Sequence, residues 1–561
     1  MKKTRRFASL ATAAILAACA VVPATMSALP VSAATANTVT FVKSGSDDIA
    51  THTYKAYQIF SGEVDGEGTL TNVQWADTAK GADFLTALKA DATIGSSFTD
   101  CETAAAVAAV LGKETADSTL LQNFATFAAS QKGNLKVVNA EAAESITVAD
   151  DGYYLFEDVS TLTSTTGAKT RYLIAQVDAS EGLDITVKSS LPSVEKKIKE
   201  NTKNVAYGAE TNETEAYVGT GYNDVADYNI GDAVPFKLIG TLPSTLDDYK
   251  TYKYTFHDTL GKEFTAPAQG DIKVSCKTGD TVTDITNKAT ITVTAASETE
   301  GAKINVEFAD IKAAGATKDS IITVEYNAVL SSGAVIGLDG QTNEVYLEYS
   351  NNPNAGGEGE TGNTPVDKVI AFTYELDVNK VDANTQVALK GAKFKLQAAD
   401  GEHTNQWAKL TKNSEGNYTV SSWTTSETDA TEFENTSGNT FVVIGLDSGK
   451  YNLKETAAPS GYNLPANSFV VELTATTVNN QDWDKFTASD ALTELTVKLD
   501  NVDGTADVNT GKGTVIVGNS SGSSLPSTGG IGTTIFYVAG GVLVVGAGVL
   551  LITKKRAKDA Q

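Results

Sequence analysis

The chemistry of this sequence lies in charged side chains set on strand faces that are otherwise apolar. Strand side chains alternate, so a residue shares its face with the residues two before and two after it. Lys196 shares a face with Val194 and Ile198, and Lys380 with Leu376 and Val378. Asp258 lies with Tyr252, Tyr254, Phe256 and Leu260, and Glu455 with Tyr451 and Leu453. In 343–351 the apolar face is Val345, Leu347 and Tyr349, with Asn343 and Asn351 at its ends; in 514–519, Val515 and Val517 are followed by Asn519. Two regions thus each turn a lysine, an acid and an amide inward. Buried ion pairs, or strand-end groups reaching back to water, are one explanation. The other is chemical. Desolvation lowers the pKa of the amine and raises that of the acid, so a neutral amine can meet a carboxamide polarised by a protonated carboxyl. Held in contact, the pair reacts at high effective molarity. Ammonia leaves, and a Lys–Asn isopeptide bond ties first strand to last, restricting the unfolded chain as a disulfide does.

The elements that must position these groups are short alternating runs rich in Thr, Val and Tyr, broken by Gly, Asn, Asp and Ser, which predicts a mainly β fold of tandem immunoglobulin-like sandwiches. The Ala-rich stretch from Thr103 to Gln131 predicts an added helix in the first domain. Breaks at Leu191-Pro192-Ser193 and across 351–365 divide the chain into 35–188, 189–370 and 371–519, after which comes a polar linker at 520–524. The segments 152–158 and 449–455 echo one another: Gly, then aromatic, apolar and acidic residues at every second position, with the acids Asp158 and Glu455 on the buried face.

The ends read as addresses. Lys2, Lys3, Arg5 and Arg6 precede an apolar stretch and the small residues 31–34, a secretory signal peptide over 1–34. Leu16-Ala17-Ala18-Cys19 also fits the short pattern before a lipidated cysteine, but the apolar region runs on past it. At the other end, Leu525-Pro526-Ser527-Thr528-Gly529, an apolar run from Ile531 to Thr553 and Lys554-Lys555-Arg556 predict a transmembrane helix with a cytoplasmic basic tail. These three parts in this order resemble the LPxTG cell-wall sorting signal of Gram-positive surface proteins. The resemblance implies that a sortase cleaves after Thr528 and passes that residue to an amine.

Leu376-Asp377-Val378-Asn379-Lys380, Leu389-Lys390-Gly391-Ala392-Lys393-Phe394 and the 453–462 segment Leu-Lys-Glu-Thr-Ala-Ala-Pro-Ser-Gly-Tyr resemble a Cna-B-type domain. That family carries isopeptide bonds, which implies Lys380, the promoting acid Glu455 and Asn519, with Asn501 as the alternative amide. From His52-Thr53-Tyr54-Lys55 onward the chain is similar to the backbone, or major, pilins of sortase-assembled Gram-positive fimbriae. For the middle domain this implies Lys196, the acid Asp258 and Asn351, with Asn343 as the alternative.

The same resemblance implies a lysine at the end of the first domain that receives Thr528 of the next subunit. The family's usual Tyr-Pro-Lys-Asn is absent. At that place Leu183, Ile185 and Val187 form one face, which leaves Lys188 on the other, toward solvent, where a nucleophile must be. Lys197 and Lys199 read as exposed competitors. Val39, Phe41 and Lys43 repeat the inward-lysine pattern with Asp158 as a matching acid, but no amide follows at Ser189, so no first-domain crosslink is expected.

Composition narrows the alternatives. The 561 residues carry 44 basic and 69 acidic side chains, a net charge of −25 that disfavours nucleic acid. The three His and three Cys lie far apart, which predicts neither metal nor cofactor, and Cys101 and Cys276 fall in different domains, with no intradomain disulfide. The expected function is a cell-wall-anchored fimbrial shaft subunit that is not an enzyme. Its expected partners are other copies of itself, pilin and housekeeping sortases, accessory pilins and host surface ligands. A monomeric wall-anchored adhesin is the alternative. A secreted hydrolase fits less well, because Asp258 and Glu455 lie in separate domains.

Overall fold

A computed structural model describes residues 37–558 except 45–47, 117, 163–166, 202–217, 220, 357–358, 436–437, 479–487 and 523–530. The signal peptide at 1–34, with Cys19, and the motif Leu525 to Gly529, with Thr528, therefore lie outside the described residues.

The first region carries a three-stranded sheet, in which Thr38–Ser44 runs parallel to Leu183–Lys188, and a five-stranded sheet built around Tyr54–Val64 and Gly152–Asp158. The Ala-rich stretch forms two helices, Ala104–Leu111 and Thr119–Ser130, and not the continuous helix expected. Gly112 caps the first, and Ser118 starts the second by accepting from the Leu121 N–H. With Gly81–Ala90 they bury Phe84, Leu88, Phe98, Phe124 and Phe127 against the five-stranded sheet.

Two seven-stranded sheets make the middle sandwich. One holds Val194–Lys199, Ala233–Thr241 and Ser320–Leu330; the other holds Tyr254–Leu260, Gln341–Ser350 and Asp367–Phe372. Their facing sides interdigitate Phe236, Leu238, Val324, Phe256, Val345 and Leu347, all essentially without solvent contact.

In the third region twelve strands form one continuous sheet that curls until its ends meet. Tyr374–Asp382 runs parallel to Lys512–Asn519, and Leu492–Leu499 closes over them, so close that a Cβ on Gly513 would sit 3.0 Å from Val497 Cβ. The enclosed core includes Leu376, Val378, Phe394, Leu453, Val515 and Val517.

The C-terminal helix, Ile531–Lys558, exposes Val542, Leu543, Val544, Leu550 and Leu551. Its side chains are described at 537–552 and 554–555, and among the described residues no helix is long and apolar enough to cross a membrane.

Candidate functional site

In the middle sandwich the sheets bring a lysine, an acid, an amide and a tyrosine together. Strand parity turns Lys196 inward with Ile198, where its side chain has no solvent contact. Its Nζ donates to Asp258 Oδ1 at 2.8 Å and to the Tyr326 hydroxyl at 3.3 Å, and lies 5.5 Å from the Phe236 ring. Tyr326 in turn donates to Asp258 Oδ2 at 2.6 Å and accepts from Asn343 Nδ2 at 2.8 Å. Lys196 and Tyr326 stand on one sheet, Asp258 and Asn343 on the other. Burial pushes the Lys196 amine down and the Asp258 carboxyl up, although each opposes the shift of the other. Both movements favour the neutral amine and neutral acid that amide attack requires.

The amide in this cluster is Asn343, and Asn351 is not part of it. Register decides this: Asn343 pairs with Leu260 and Val345 with Asp258, so Asn343 flanks the acid. Asn351 follows the far end of the same strand, where its carbonyl accepts from Lys169 N–H of the first domain at 2.7 Å. It belongs to a joint with Asn354, whose side chain accepts from Tyr172 N–H at 2.9 Å and donates to the Thr170 carbonyl at 2.8 Å. Asn343 also does not lie on the domain's last strand, Asp367–Phe372, which instead anchors the lysine strand by accepting the Lys196 N–H at Asp367.

The third region assembles Lys380, Glu455 and Asn519. Lys380 is fully buried, and its Nζ donates to the Val517 carbonyl at 3.1 Å. The parallel register sets Lys380 beside Val517 and Asp382 beside Asn519. Asn519 Nδ2 donates to Glu455 Oε1 at 2.8 Å and to the Asn463 carbonyl at 3.1 Å, while Asn519 Oδ1 and Glu455 Oε2 are buried without partners. Burial raises the Glu455 carboxyl and lowers the Lys380 amine, in each case against the charge of the other. A protonated carboxyl beside an amide and a neutral amine is the arrangement in which an acid can polarise a carboxamide. Asn501 sits on an exposed turn with φ +68° and takes no part in this cluster.

The first domain uses its acid differently. Asp158 Oδ2 lies 2.7 Å from His52 Nδ1, and His52 Nε2 lies 3.1 Å from Asp48 Oδ2, all three side chains being buried. Lys43 is half-buried and donates to the backbone carbonyls of Asp48 and Ala50. Between two carboxylates His52 is raised to about 9, against the opposing effect of its own burial.

Lys188 is exposed at the end of its strand, opposite Ser44. Lys199 is exposed too, but Lys197 is not. It is buried and pairs with Asp224 at 2.6 Å, because the segment 221–227 covers the outer face of the strand that parity alone leaves open.

Sequence reading missed Tyr326, His52 and Lys197 as buried polar partners. Tyr326 shares its face with Ile322, Val324 and Ala328, where an aromatic reads simply as core.

A Gram-positive pilin backbone subunit 2, Cna-B-like domain matches residues 230–353, and a prealbumin-like fold domain matches 374–485. An LPXTG cell wall anchor motif matches 519–559. The trypsin-resistant surface T6 protein of Streptococcus pyogenes serotype M6 is 27% identical over 288 residues, covering 42% of this chain and 48% of the relative, so the chain spans about half the length of that protein. Among solved structures, the T6 backbone pilin of serotype M6 Streptococcus pyogenes is similar at TM-score 0.48 and 15% identity, over 88% of this chain and 100% of that one. The major pilin SpaD of Corynebacterium diphtheriae is similar at 0.42 and 16%, over 88% and 99%. At these scores the solved structures add nothing to the family matches. Between 230 and 559 the chain thus carries, in order, a domain similar to that of a Gram-positive pilin backbone subunit, a prealbumin-like domain and an LPXTG cell-wall anchor motif.

Proposed function

We propose that the chain is the shaft subunit of a covalently polymerised, wall-anchored surface fibre, a structural protein whose own chemistry is limited to single-turnover crosslinking. A sortase would cleave after Thr528, and the acyl group would pass to Lys188 of the next copy, releasing the sortase thiol and forming an isopeptide bond between subunits. The pilin sortase, a housekeeping sortase for the final attachment to the wall, accessory pilins and host ligands are the partners of this reading. The observation that carries it is the pair of desolvated amine, acid and amide clusters, Lys196/Asp258/Asn343 and Lys380/Glu455/Asn519.

In each cluster the lysine Nζ attacks the amide carbon, the acid carries a proton for the oxygen and then the leaving nitrogen, and ammonia departs. The middle bond would join the two sheets of the sandwich; the other would join adjacent parallel strands. Each closes a long loop and would stabilise its domain by roughly 5 kcal/mol on the chain-entropy account. Tension along a fibre would then run through covalent links. Immunoblots of cell-wall extracts test the polymer: wild type gives a ladder of multimers, and removal of 525–529 leaves monomer only. A single monomeric band in wild type would contradict the shaft reading.

A further inference from the structure

Lys188 ends the strand Leu183–Lys188, and soon after it Leu191 packs on the core of the middle domain. The crossing between domains is pinned on both sides of the lysine. The Ser44 hydroxyl donates to the Val187 carbonyl at 3.2 Å, and Ser190 Oγ accepts the Ser244 N–H at 3.1 Å. Ser193 N–H donates to the Thr241 hydroxyl at 2.9 Å, and the Ser193 carbonyl accepts the Thr241 N–H at 3.0 Å. Residues 241–244 lead into the turn Leu246–Asp248, which Lys312 ties down by donating to the carbonyls of Leu246 and Tyr249. That turn belongs to the middle domain but reaches the first: half-buried Asp248 accepts at Oδ1 from Arg171 Nη1 at 3.2 Å.

The backbone around Lys188 is therefore fixed, while its side chain stays open to solvent. Burial pushes the Asp248 carboxyl up, Arg171 and Lys188 pull it back, Asp247 adds to the rise and Lys312 counters it. Lys188 thus lies within reach of the acid's charge. An amine attacks a thioester only after losing a proton, and a carboxylate held above its ordinary pKa is the better acceptor of that proton. A strut between the two domains would need Arg171 alone.

We infer that Asp248 positions the Lys188 amine and receives its proton, so that the middle domain completes the acceptor site of the first. The inference rests on the reading of Lys188 as the acceptor of Thr528. In the step, the Lys188 ammonium gives one proton to the Asp248 carboxylate, and Nζ attacks the thioester carbon of Thr528 on the arriving acyl-enzyme. The carbon–sulfur bond breaks, a second proton passes from the nitrogen to the departing cysteine sulfur, and Asp248 returns its own proton to solvent.

The test gives the mature chain and its variants the pilin sortase and a labelled peptide containing Leu-Pro-Ser-Thr-Gly, and times acylation of Lys188 by peptide mass mapping from pH 6 to 10. Each rate is divided by that of wild type at the same pH, so the sortase's own titration cancels. Asp248→Asn should be slowed about a hundredfold at pH 7, with the deficit closing as pH rises and solvent strips the amine. Asp248→Glu should recover much of the rate. A loss that is equal at every pH and matched by Arg171→Ala would reduce Asp248 to a strut and overturn the inference. A wild-type rate in Asp248→Asn, with acylation abolished in Lys188→Ala, would overturn it while leaving the acceptor reading intact. Acylation of the chain undiminished in Lys188→Ala would overturn the acceptor reading, and the inference with it.

Discussion

The Tyr326 hydroxyl donates to Asp258 at 2.6 Å while accepting the Asn343 amide at 2.8 Å, so one side chain from the lysine's sheet bridges the acid and the amide of the opposite sheet. In the proposed crosslinking reaction it would position the amide for attack. Tyr326→Phe should leave the middle-domain bond able to form but slow it on the order of tenfold, the worth of one lost hydrogen bond. A time course of ammonia loss in pulse-labelled chain reads this directly. Formation at the wild-type rate would remove Tyr326 from the reaction.

Asn343→Ala and Asn351→Ala separate the two amides. Asn343→Ala should yield a chain that loses one ammonia fewer and unfolds at lower temperature. Asn351→Ala should keep the full mass loss, since the joint contact to Lys169 runs through its backbone carbonyl. Loss of a crosslink in Asn351→Ala, with none lost in Asn343→Ala, would reverse the assignment.

Lys188 and Lys197 make opposite predictions despite their proximity in sequence. Lys188→Ala should abolish the multimer ladder without changing the fold, because the side chain is exposed. Lys197→Ala takes a buried ammonium away from buried Asp224 and should cost a few kcal/mol of stability, on the order of 3. A ladder that survives Lys188→Ala would send the linkage to another amine, with exposed Lys199 next to be tested.

The buried relay Asp48–His52–Asp158 makes first-domain stability depend on pH. Its folded pKa of about 9 lies above the ordinary 6.5, so the contribution of the imidazolium is complete below about pH 6.5 and fades as pH rises through about 9. The loss is up to roughly 3 kcal/mol. Unfolding of the first domain followed from pH 6 to 10 should show this decline, and His52→Gln should flatten it. A wild-type domain whose stability is level across that interval would contradict the ion pairing.

Alternation alone made the inward turn of Lys196, Asp258, Lys380 and Glu455 legible, because parity needs no partner strand. It could not choose between Asn343 and Asn351: they are an even number of residues apart, so parity treats them alike, and only the pairing of Asn343 with Leu260 shows which lies beside the acid. Lys197 failed for the converse reason. Parity gives a face, not what covers it, and the covering segment with Asp224 is distant in sequence. The single long helix expected over 103–131 failed locally, at the Gly112 cap and the Ser118 N-cap, both readable from residue type. The approach of Asp248 to Lys188 was out of reach of any spacing argument, because the two residues lie in different domains.

The intact mass of the secreted chain, compared with the mass calculated from its sequence, tests the central claim most directly. Two self-formed Lys–Asn bonds predict a deficit of two ammonia molecules, falling to one in Asn343→Ala or Glu455→Ala and to none in the double variant. A wild-type mass equal to the calculated one would contradict the account.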